Sequence, residues 1–183
     1  MRVIYVSHPE VAIDPAVPVP RWRLSETGTA RMRAFADGPV LGQVNAVWAS
    51  AEAKAIEGAG IVAARFGLPV RVDEGLGEND RSATGYLPPD EFERTADAFF
   101  ANPQERVRGW ERAADAQARV VAAVARVQAA GEGASVIVAH GGVGSLLLCH
   151  LMGVPISRTH DQTGAGNYFS FTDGRLEHGW RPI

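Results

Sequence analysis

Short apolar runs alternate along the chain with longer segments that have helical spacing. Residues Val3 to Val6 form one continuous apolar run, and Ser135 to Ala139 forms another near the far end. Runs of this kind predict strands that are buried on both faces of a sheet. Further short runs predict strands over residues 44–48 and 69–72, and a closing antiparallel hairpin over 168–171 and 176–180.

Between these strands, apolar spacing and capping signals predict helices. Ser25 and Ser50 are interpreted as N-caps of two of them, and Pro88-Pro89-Asp90 opens another. The predicted helices cover approximately residues 26–37, 51–66, 89–101, 104–130 and 142–152. Strands that alternate with helices and end in a hairpin predict a three-layer α/β/α sandwich around a mostly parallel sheet, built as one domain over residues 1–183.

Composition and charge narrow the classes of function. The hydrophobic content of 46% and the charged content of 21% are ordinary for a soluble globular protein. The net charge of −3 gives no reason to expect nucleic acid or an anionic membrane as a partner. Cys149 is the single cysteine, so no internal disulfide can form, and no apolar run approaches the roughly 18–20 residues of a membrane span. We therefore expect a cytoplasmic protein.

Two histidines occupy matching places in this pattern. His8 follows the first apolar run, and His140 follows the run over residues 135–139. Because ligands of α/β sheets bind at the carboxyl ends of the strands, we expect both side chains at that edge. One histidine at a strand end is commonly a polar cap, but two at matching positions favour a nucleophilic or acid/base centre. Gly141-Gly142 would let a ligand approach the backbone, and the helix that follows offers N–H groups to an anion.

The histidines lie within four short motifs that span almost the whole chain: Ser7-His8-Pro9, Ala49-Ser50-Ala51-Glu52-Ala53-Lys54-Ala55, Leu76-Gly77-Glu78 and Ala139-His140-Gly141-Gly142. Their order and spacing resemble those of the histidine phosphatase (phosphoglycerate-mutase-like) superfamily. In that family the motifs read Arg-His-Gly, Ser-Ser-Pro-Leu-x-Arg-Ala, Leu-x-Glu and Ser-His-Gly-Gly. Leu24-Ser25-Glu26-Thr27-Gly28 lies where the family has Leu-Thr-x-x-Gly.

The resemblance implies a mechanism for a phosphomonoester. His8 would attack the phosphorus and become a phosphohistidine, while His140 would bind the transferring phosphoryl group. Glu78 would protonate the leaving oxygen and then deprotonate the water that hydrolyses the intermediate. Cationic side chains would hold the phosphoryl oxygens, because phosphoryl transfer depends mainly on positioning and charge stabilisation. The resemblance implies no metal and no other cofactor.

The chain departs from the family motifs at two cationic positions. The first arginine is Ser7 here, and the second is Lys54, which presents a point charge instead of a planar fork. Arg21, Arg23 and Arg81 lie in loops that could supply replacements. Arg21 and Arg23 are the preferred candidates because their loop connects His8 to the first helix, although both could also be solvated residues that flank a packed Trp22.

The leading hypothesis is a metal-independent phosphatase that acts through phosphorylated His8 on a small phosphate ester or a phosphorylated protein, with Lys54, Arg21, Arg23 and Gly141 binding the phosphate. A mutase is disfavoured, because the chain lacks the long insertion that the family's mutases use. The main alternative is a family member that binds a phosphorylated ligand without turnover, and a nucleotide-binding α/β domain is a third. The apolar stripe of the long helix fits a core face and a subunit contact equally well, so no oligomeric state is assigned.

Overall fold

A computed structural model describes residues 1–183 and contains one six-stranded sheet. The strands are β1 (Arg2–Ser7), β2 (Ala46–Ala49), β3 (Val70–Val72), β4 (Ser135–Ala139), β5 (Asn167–Thr172) and β6 (Arg175–Pro182). Their order across the sheet is β3-β2-β4-β1-β5-β6. The first four strands in this order run parallel, β5 is antiparallel to β1, and β6 is antiparallel to β5. The predicted mostly parallel sheet with a closing hairpin is confirmed.

Five helices cover the two faces of the sheet: α1 (Glu26–Asp37), α2 (Ala53–Phe66), α3 (Pro89–Ala101), α4 (Ala113–Ala129) and α5 (Gly141–Met152). Because successive side chains of a strand point to opposite faces, β1 divides its apolar residues between two cores. Ile4 and Val6 pack with α1 and α2, whereas Val3 and Tyr5 pack with residues of α3, α4 and α5. The predicted three-layer α/β/α sandwich is therefore confirmed. No helix combines the length and the apolar composition that crossing a bilayer would require.

Local signals predicted several helix ends correctly. Ser25 caps α1 by accepting a hydrogen bond from the N–H of Gly28 at 3.0 Å. Gly67 ends α2 in the left-handed conformation, with φ of 66°. The helix predicted to begin after Ser50 instead begins at Ala53, with Glu52 at the N-cap. Ser50 precedes the cap, and its hydroxyl bonds to His140 at 2.7 Å and accepts from the N–H of Glu52 at 3.3 Å.

The long helix predicted over residues 104–130 is shorter than expected. A 3₁₀ turn covers Val107–Gly109, and α4 begins only at Ala113. Arg108 and Gly109 have φ of 52° and 82°. Two consecutive residues in the left-handed region cannot continue a right-handed helix, so the apolar periodicity crosses a break in the backbone.

The proline-rich segment over residues 9–23 is a loop that packs back on the sheet edge. Val11 and Leu24 form an isolated antiparallel bridge. Trp22 is buried, and its indole N–H donates to the carbonyls of Asp14 and Val17, each at 2.9 Å. These contacts close the loop on itself, and a hydrogen bond from Lys54 to the carbonyl of Val19 at 2.9 Å attaches it to the start of α2.

Candidate active site

His8 and His140 lie together at the carboxyl ends of the two central strands. β1 and β4 are hydrogen-bonded neighbours, with Ser7 paired to Ala139, and the N–H of His8 donates to the carbonyl of Ala139 at 3.0 Å. The two imidazole centroids are 5.3 Å apart, and the rings are inclined at 72°. The expectation that both side chains meet at this edge agrees with the geometry.

His8 has the protonation state of a nucleophile. Its Nδ1 lies 2.8 Å from the carbonyl oxygen of Pro9, which can only accept, so Nδ1 carries the proton and Nε2 carries the free lone pair. Burial, and secondly the neighbouring His140, lower the pKa of His8 to about 3. The imidazole is therefore neutral at any pH well above 3.

His140 is completely buried and is held from one side. Its Nε2 lies 2.7 Å from the hydroxyl of Ser50 and 3.3 Å from a carboxylate oxygen of Glu52. Burial lowers the pKa of His140, and the carboxylates of Glu52 and Glu78 partly oppose that effect. Nδ1 of His140 has no hydrogen-bond partner within the protein. A buried polar atom without a partner, in a residue that lines a cavity, suits a ligand group placed against it.

Glu78 lies in the loop after β3, and its side chain contacts the first turn of α5. Its carboxylate accepts hydrogen bonds from the N–H groups of Gly142 at 3.1 Å and Val143 at 3.0 Å, and Arg81 approaches it to 3.3 Å. Burial alone would raise the pKa of Glu78, but Arg81 and His140 outweigh it and hold the pKa below the ordinary value. Glu78 thus lies near the histidines as a carboxylate bound to a helix N-terminus.

Lys54 is almost fully buried at the start of α2 and already has partners. Its ammonium group donates to the carbonyl of Val19 at 2.9 Å and forms an ion pair with Glu52. Glu52 also accepts a hydrogen bond from the N–H of Glu78 at 3.1 Å. Burial raises the pKa of Glu52, but the opposing effects of His140 and Lys54 are larger in sum and lower it to about 2. Lys54 is therefore a cation neutralised by an adjacent carboxylate.

The preferred replacements for the absent arginines do not reach this site. Arg21 and Arg23 are exposed, and Arg23 pairs with Glu57 on the outer surface of α2. Neither lines the cavity that contains the histidines. The buried side chain between them, Trp22, turns the loop so that its two arginines face outward.

Arg81, the third loop arginine, does line the cavity. Its guanidinium carbon lies 4.9 Å from the ring centroids of both Phe92 and Trp110, and its Nε donates to the Oδ1 of Asn79 at 2.8 Å. This bond orients the amide of Asn79, whose Nδ2 is buried without a partner in the protein. Arg81 and Asn79 thus bring a cation and a free donor to the cavity.

Ser7 does not face the phosphate-binding groups. Its hydroxyl bonds to the side chain of Gln162 and accepts a hydrogen bond from the N–H of Asn167 at 2.9 Å. Gln162 also lies so close to Gly141 that a Cβ there would be 2.0 Å from its Nε2. Gly141 is therefore required by packing and does not line the cavity, whereas a Cβ on Gly142 would come within 2.7 Å of Glu78.

These side chains border a cavity of about 650 Å³. Polar and charged residues of the sheet edge form one part of it: His8, Glu52, Lys54, Glu78, Asn79, Arg81 and His140. Asp80 and residues of the loop over 9–23 and of the segment over 82–93 form the rest. A neutral nucleophilic imidazole, a second imidazole, a carboxyl group and two cations in one cavity can support phosphoryl transfer to nitrogen.

Sequence reasoning missed Ser50, Glu52 and Asn79. Ser50 and Glu52 become site residues only because β2 lies beside β4, and this pairing joins residues about 90 positions apart. One available signal was that Glu52 lies two residues before Lys54 in an alanine-rich segment. Asn79 directly follows Glu78, and that adjacency was a second signal.

Solved structures share this fold over nearly their whole length. A mycobacterial glucosyl-3-phosphoglycerate phosphatase in complex with VO3 has a TM-score of 0.81 and 24% identity, and the alignment covers 100% of this chain and 99% of that one. Bacillus stearothermophilus YhfR has a TM-score of 0.78 and 21% identity, covering 97% and 94%. The α-ribazole phosphatase from Shigella flexneri has a TM-score of 0.71 and 18% identity, covering 100% and 96%. At these identities the likeness establishes the fold.

No curated protein sequence matches this chain. A family model does, over residues 19–177, and it describes the histidine phosphatase superfamily (branch 1). The matched range includes Lys54, Glu78 and His140, and His8 lies just before it. The chain therefore belongs to the histidine phosphatase superfamily.

Proposed function

We propose that this protein is a metal-independent phosphatase that hydrolyses a phosphomonoester through a phosphohistidine on His8. The observation that carries the proposal is the pair of imidazoles 5.3 Å apart at one cavity, with His8 held as a neutral base by the Pro9 carbonyl. Membership of the family and the phosphatase names of proteins with the same fold support it.

In the first step, Nε2 of His8 attacks the phosphorus, and the bond between phosphorus and the ester oxygen breaks. The leaving oxygen takes the proton of the Glu78 carboxylic acid. In the second step, water attacks the phosphohistidine and gives its proton to Glu78. The bond between phosphorus and nitrogen breaks, inorganic phosphate leaves, and His8 regains its lone pair.

The unpartnered donors would stabilise the transferring group. Nδ1 of His140 and Nδ2 of Asn79 are buried without protein partners, and both residues line the cavity. With the Ser50 hydroxyl donating to Nε2 of His140, Nδ1 carries the proton, and hydrogen bonds from Nδ1 and from Nδ2 of Asn79 to phosphoryl oxygens would satisfy both atoms and spread the developing charge. Together with Arg81 they would compensate for the guanidinium groups that Ser7 and Lys54 do not supply.

Trapping of the phosphoenzyme tests this function. A radiolabelled aryl phosphate is mixed with the protein in the presence of a chelator and quenched at alkaline pH, where phosphohistidine survives. We expect label on the wild-type protein, steady turnover, and loss of both in His8→Ala. His150→Ala is the matched control, since this histidine is exposed and lies outside the cavity, and it should behave as the wild type.

The alternative function is binding of a phosphorylated ligand without turnover. The Glu52–Lys54 ion pair and the absence of an arginine at Ser7 favour it, because both weaken the cationic character of the cavity. Saturable binding of phosphate, together with no label and no turnover on aryl, alkyl and sugar phosphates, would overturn the phosphatase proposal in favour of this one.

A further inference from the structure

One wall of the cavity consists of apolar side chains from two loops. Its residues, here called the apolar wall, are Val11, Ile13, Val19, Trp22, Tyr86 and Leu87. Ile13 and Tyr86 remain 60% and 38% exposed, and unlike an isolated exposed hydrophobic residue they lie with the other apolar side chains of one cavity. The wall is continuous with the histidines, because one cavity contains both. Whatever group is attached to a phosphate bound at His8 would therefore lie against it.

The largest residue of the apolar wall is Trp22, and its only polar atom, the indole nitrogen, already has hydrogen-bond partners. The indole N–H of Trp22 donates to the carbonyls of Asp14 and Val17, so Trp22 offers a ligand only the surface of its ring. The ring centroid of Tyr86 lies 5.6 Å from that of Trp22. Two adjacent aromatic rings form a surface that suits an apolar or aromatic group and offers few hydrogen bonds to a polyol.

The charges of the cavity disfavour an anionic leaving group. Four carboxylates line it, from Glu52, Glu78, Asp80 and Glu93, against the two cations Lys54 and Arg81, and Glu93 is paired with Arg158 outside the cavity. Each cation already pairs with a carboxylate, Lys54 with Glu52 and Arg81 with Glu78. The phosphoryl group itself would compete for both. No cation of the cavity is left for a second phosphate or a carboxylate on the same substrate.

Resting on the proposed phosphatase activity, we propose that the substrate is the phosphomonoester of an uncharged, apolar alcohol or phenol. The leaving group packs on the apolar wall while the phosphoryl group lies between His8 and His140. A cavity of about 650 Å³ has room for a group of aryl size, since ligand cavities of about 300–1,000 Å³ hold drug-sized molecules.

Phosphonates test the leaving-group site without requiring turnover. Methylphosphonate, benzylphosphonate and phosphonoacetate are titrated into the wild-type protein by calorimetry. We expect benzylphosphonate to bind at least about tenfold more tightly than methylphosphonate, because burial of a phenyl group is worth that much or more. Phosphonoacetate should bind more weakly than methylphosphonate. Equal affinities, or a preference for phosphonoacetate, would overturn the proposal.

Substitutions in the apolar wall test whether the benzyl group binds there. Ile13→Ser and Tyr86→Ser should each reduce the preference for benzylphosphonate by about threefold or more and leave the affinity for methylphosphonate unchanged. Both side chains are exposed, so the variants should fold. Ile56→Ser is the matched control, since Ile56 is 39% exposed but lies on α2 outside the cavity, and it should change neither affinity. An unaltered preference in both wall variants would place the benzyl group elsewhere and overturn the proposal.

The two proposals fail in different ways. If no phosphate ester is turned over but benzylphosphonate is preferred and Ile13→Ser loses that preference, the phosphatase proposal is wrong and the apolar site is supported. If the highest kcat/KM is found on a phosphoglycerate, the phosphatase proposal is supported and the apolar site is wrong. If no phosphonate binds and no ester is hydrolysed, both proposals are wrong.

Discussion

The carboxylate of Glu78 accepts a hydrogen bond from the backbone N–H of Gly142 at 3.1 Å. A second bond from Val143 at 3.0 Å completes its attachment to the first turn of α5. A helix N-terminus attracts anions, because unpaired N–H groups and the helix dipole both favour negative charge. In this chain the proposed acid/base residue occupies the position that would otherwise be open to a phosphoryl oxygen.

Glu78→Ala should separate binding from turnover. Removal of the carboxylate frees the N–H groups and takes one negative charge out of the cavity. We expect inorganic phosphate to bind about three- to tenfold more tightly, while kcat on an aryl phosphate falls by about 10²–10⁴-fold as the acid is lost. Calorimetry and steady-state kinetics measure the two quantities. Glu74→Ala, an exposed acid of the same loop, should leave both unchanged. Weaker phosphate binding in Glu78→Ala would contradict the prediction.

The pH profile of kcat/KM should have its maximum in the acid range. Turnover needs His8 neutral, which holds above about pH 3, and Glu78 protonated, which requires a pH near or below a pKa that is already lowered. As pH rises through and above the Glu78 pKa, the protonated fraction falls tenfold per unit and kcat/KM should fall with it. Bound phosphate repels the carboxylate and raises its pKa, so the profile of kcat should extend to higher pH.

Arg81→Gln tests whether Glu78 is the acid whose titration sets the alkaline limb of the pH profile. Arg81 is the largest of the influences that lower the Glu78 pKa, so its removal should move the alkaline limb of kcat/KM to higher pH. A profile that stays flat between about pH 5 and 8 in the wild type, or that does not move in Arg81→Gln, would exclude Glu78 as the titrating acid.

Glu52→Gln should increase phosphate affinity by about three- to tenfold. Lys54 and the N–H of Glu78 donate to different oxygens of Glu52, so the single amide oxygen keeps only one of these bonds, and the amide no longer neutralises the lysine. Because Lys54 then lacks a counter-charge, the free energy of unfolding should fall by about 3 kcal/mol. Binding is measured by calorimetry and stability by denaturant titration. Glu57→Gln removes a carboxylate of similar position on the outer side of α2, and phosphate affinity should not respond to it. An unchanged phosphate affinity in Glu52→Gln would mean that Lys54 does not contact the ligand.

Ser7→Arg should not restore a family-like site. Ser7 is fully buried and bonded to the side chain of Gln162 and the backbone N–H of Asn167, so an arginine would break both contacts and bring a charge into a filled space. We expect a loss of about 3 kcal/mol or more of unfolding free energy and no gain in kcat/KM. Ser82→Arg adds the same charge at an exposed position of the cavity and should leave stability unchanged. A stable Ser7→Arg variant with higher kcat/KM would show that the position still faces the phosphate.

The parts of the site that sequence could predict are those set by local chain geometry. An apolar strand followed by His8 or His140 fixes where that histidine emerges, whatever the rest of the chain does. Glu52 could not be assigned in this way, because its contacts with His140 and the Glu78 N–H exist only once β2 and the loop after β3 lie beside β4. The direction in which loop side chains point could not be predicted from the sequence either. The burial of Trp22 turns Arg21 and Arg23 outward, and periodicity says nothing about it.

The helix boundaries show the same limit. The apolar pattern across residues 104–130 suits a single helix, yet Arg108 and Gly109 interrupt it with positive φ. Trp110 explains why the pattern continues through the break: its ring is buried in the same core as α4, and its N–H donates to the hydroxyl of Thr84 at 2.8 Å. The apolar periodicity therefore predicts correctly which residues are buried, but it wrongly predicts one continuous helix.

The two carbonyls that accept from the Trp22 indole have a consequence for how a guest molecule binds. They join the two ends of the segment from Asp14 to Trp22 before a ligand arrives, so binding has less of this loop to order and should cost less conformational entropy.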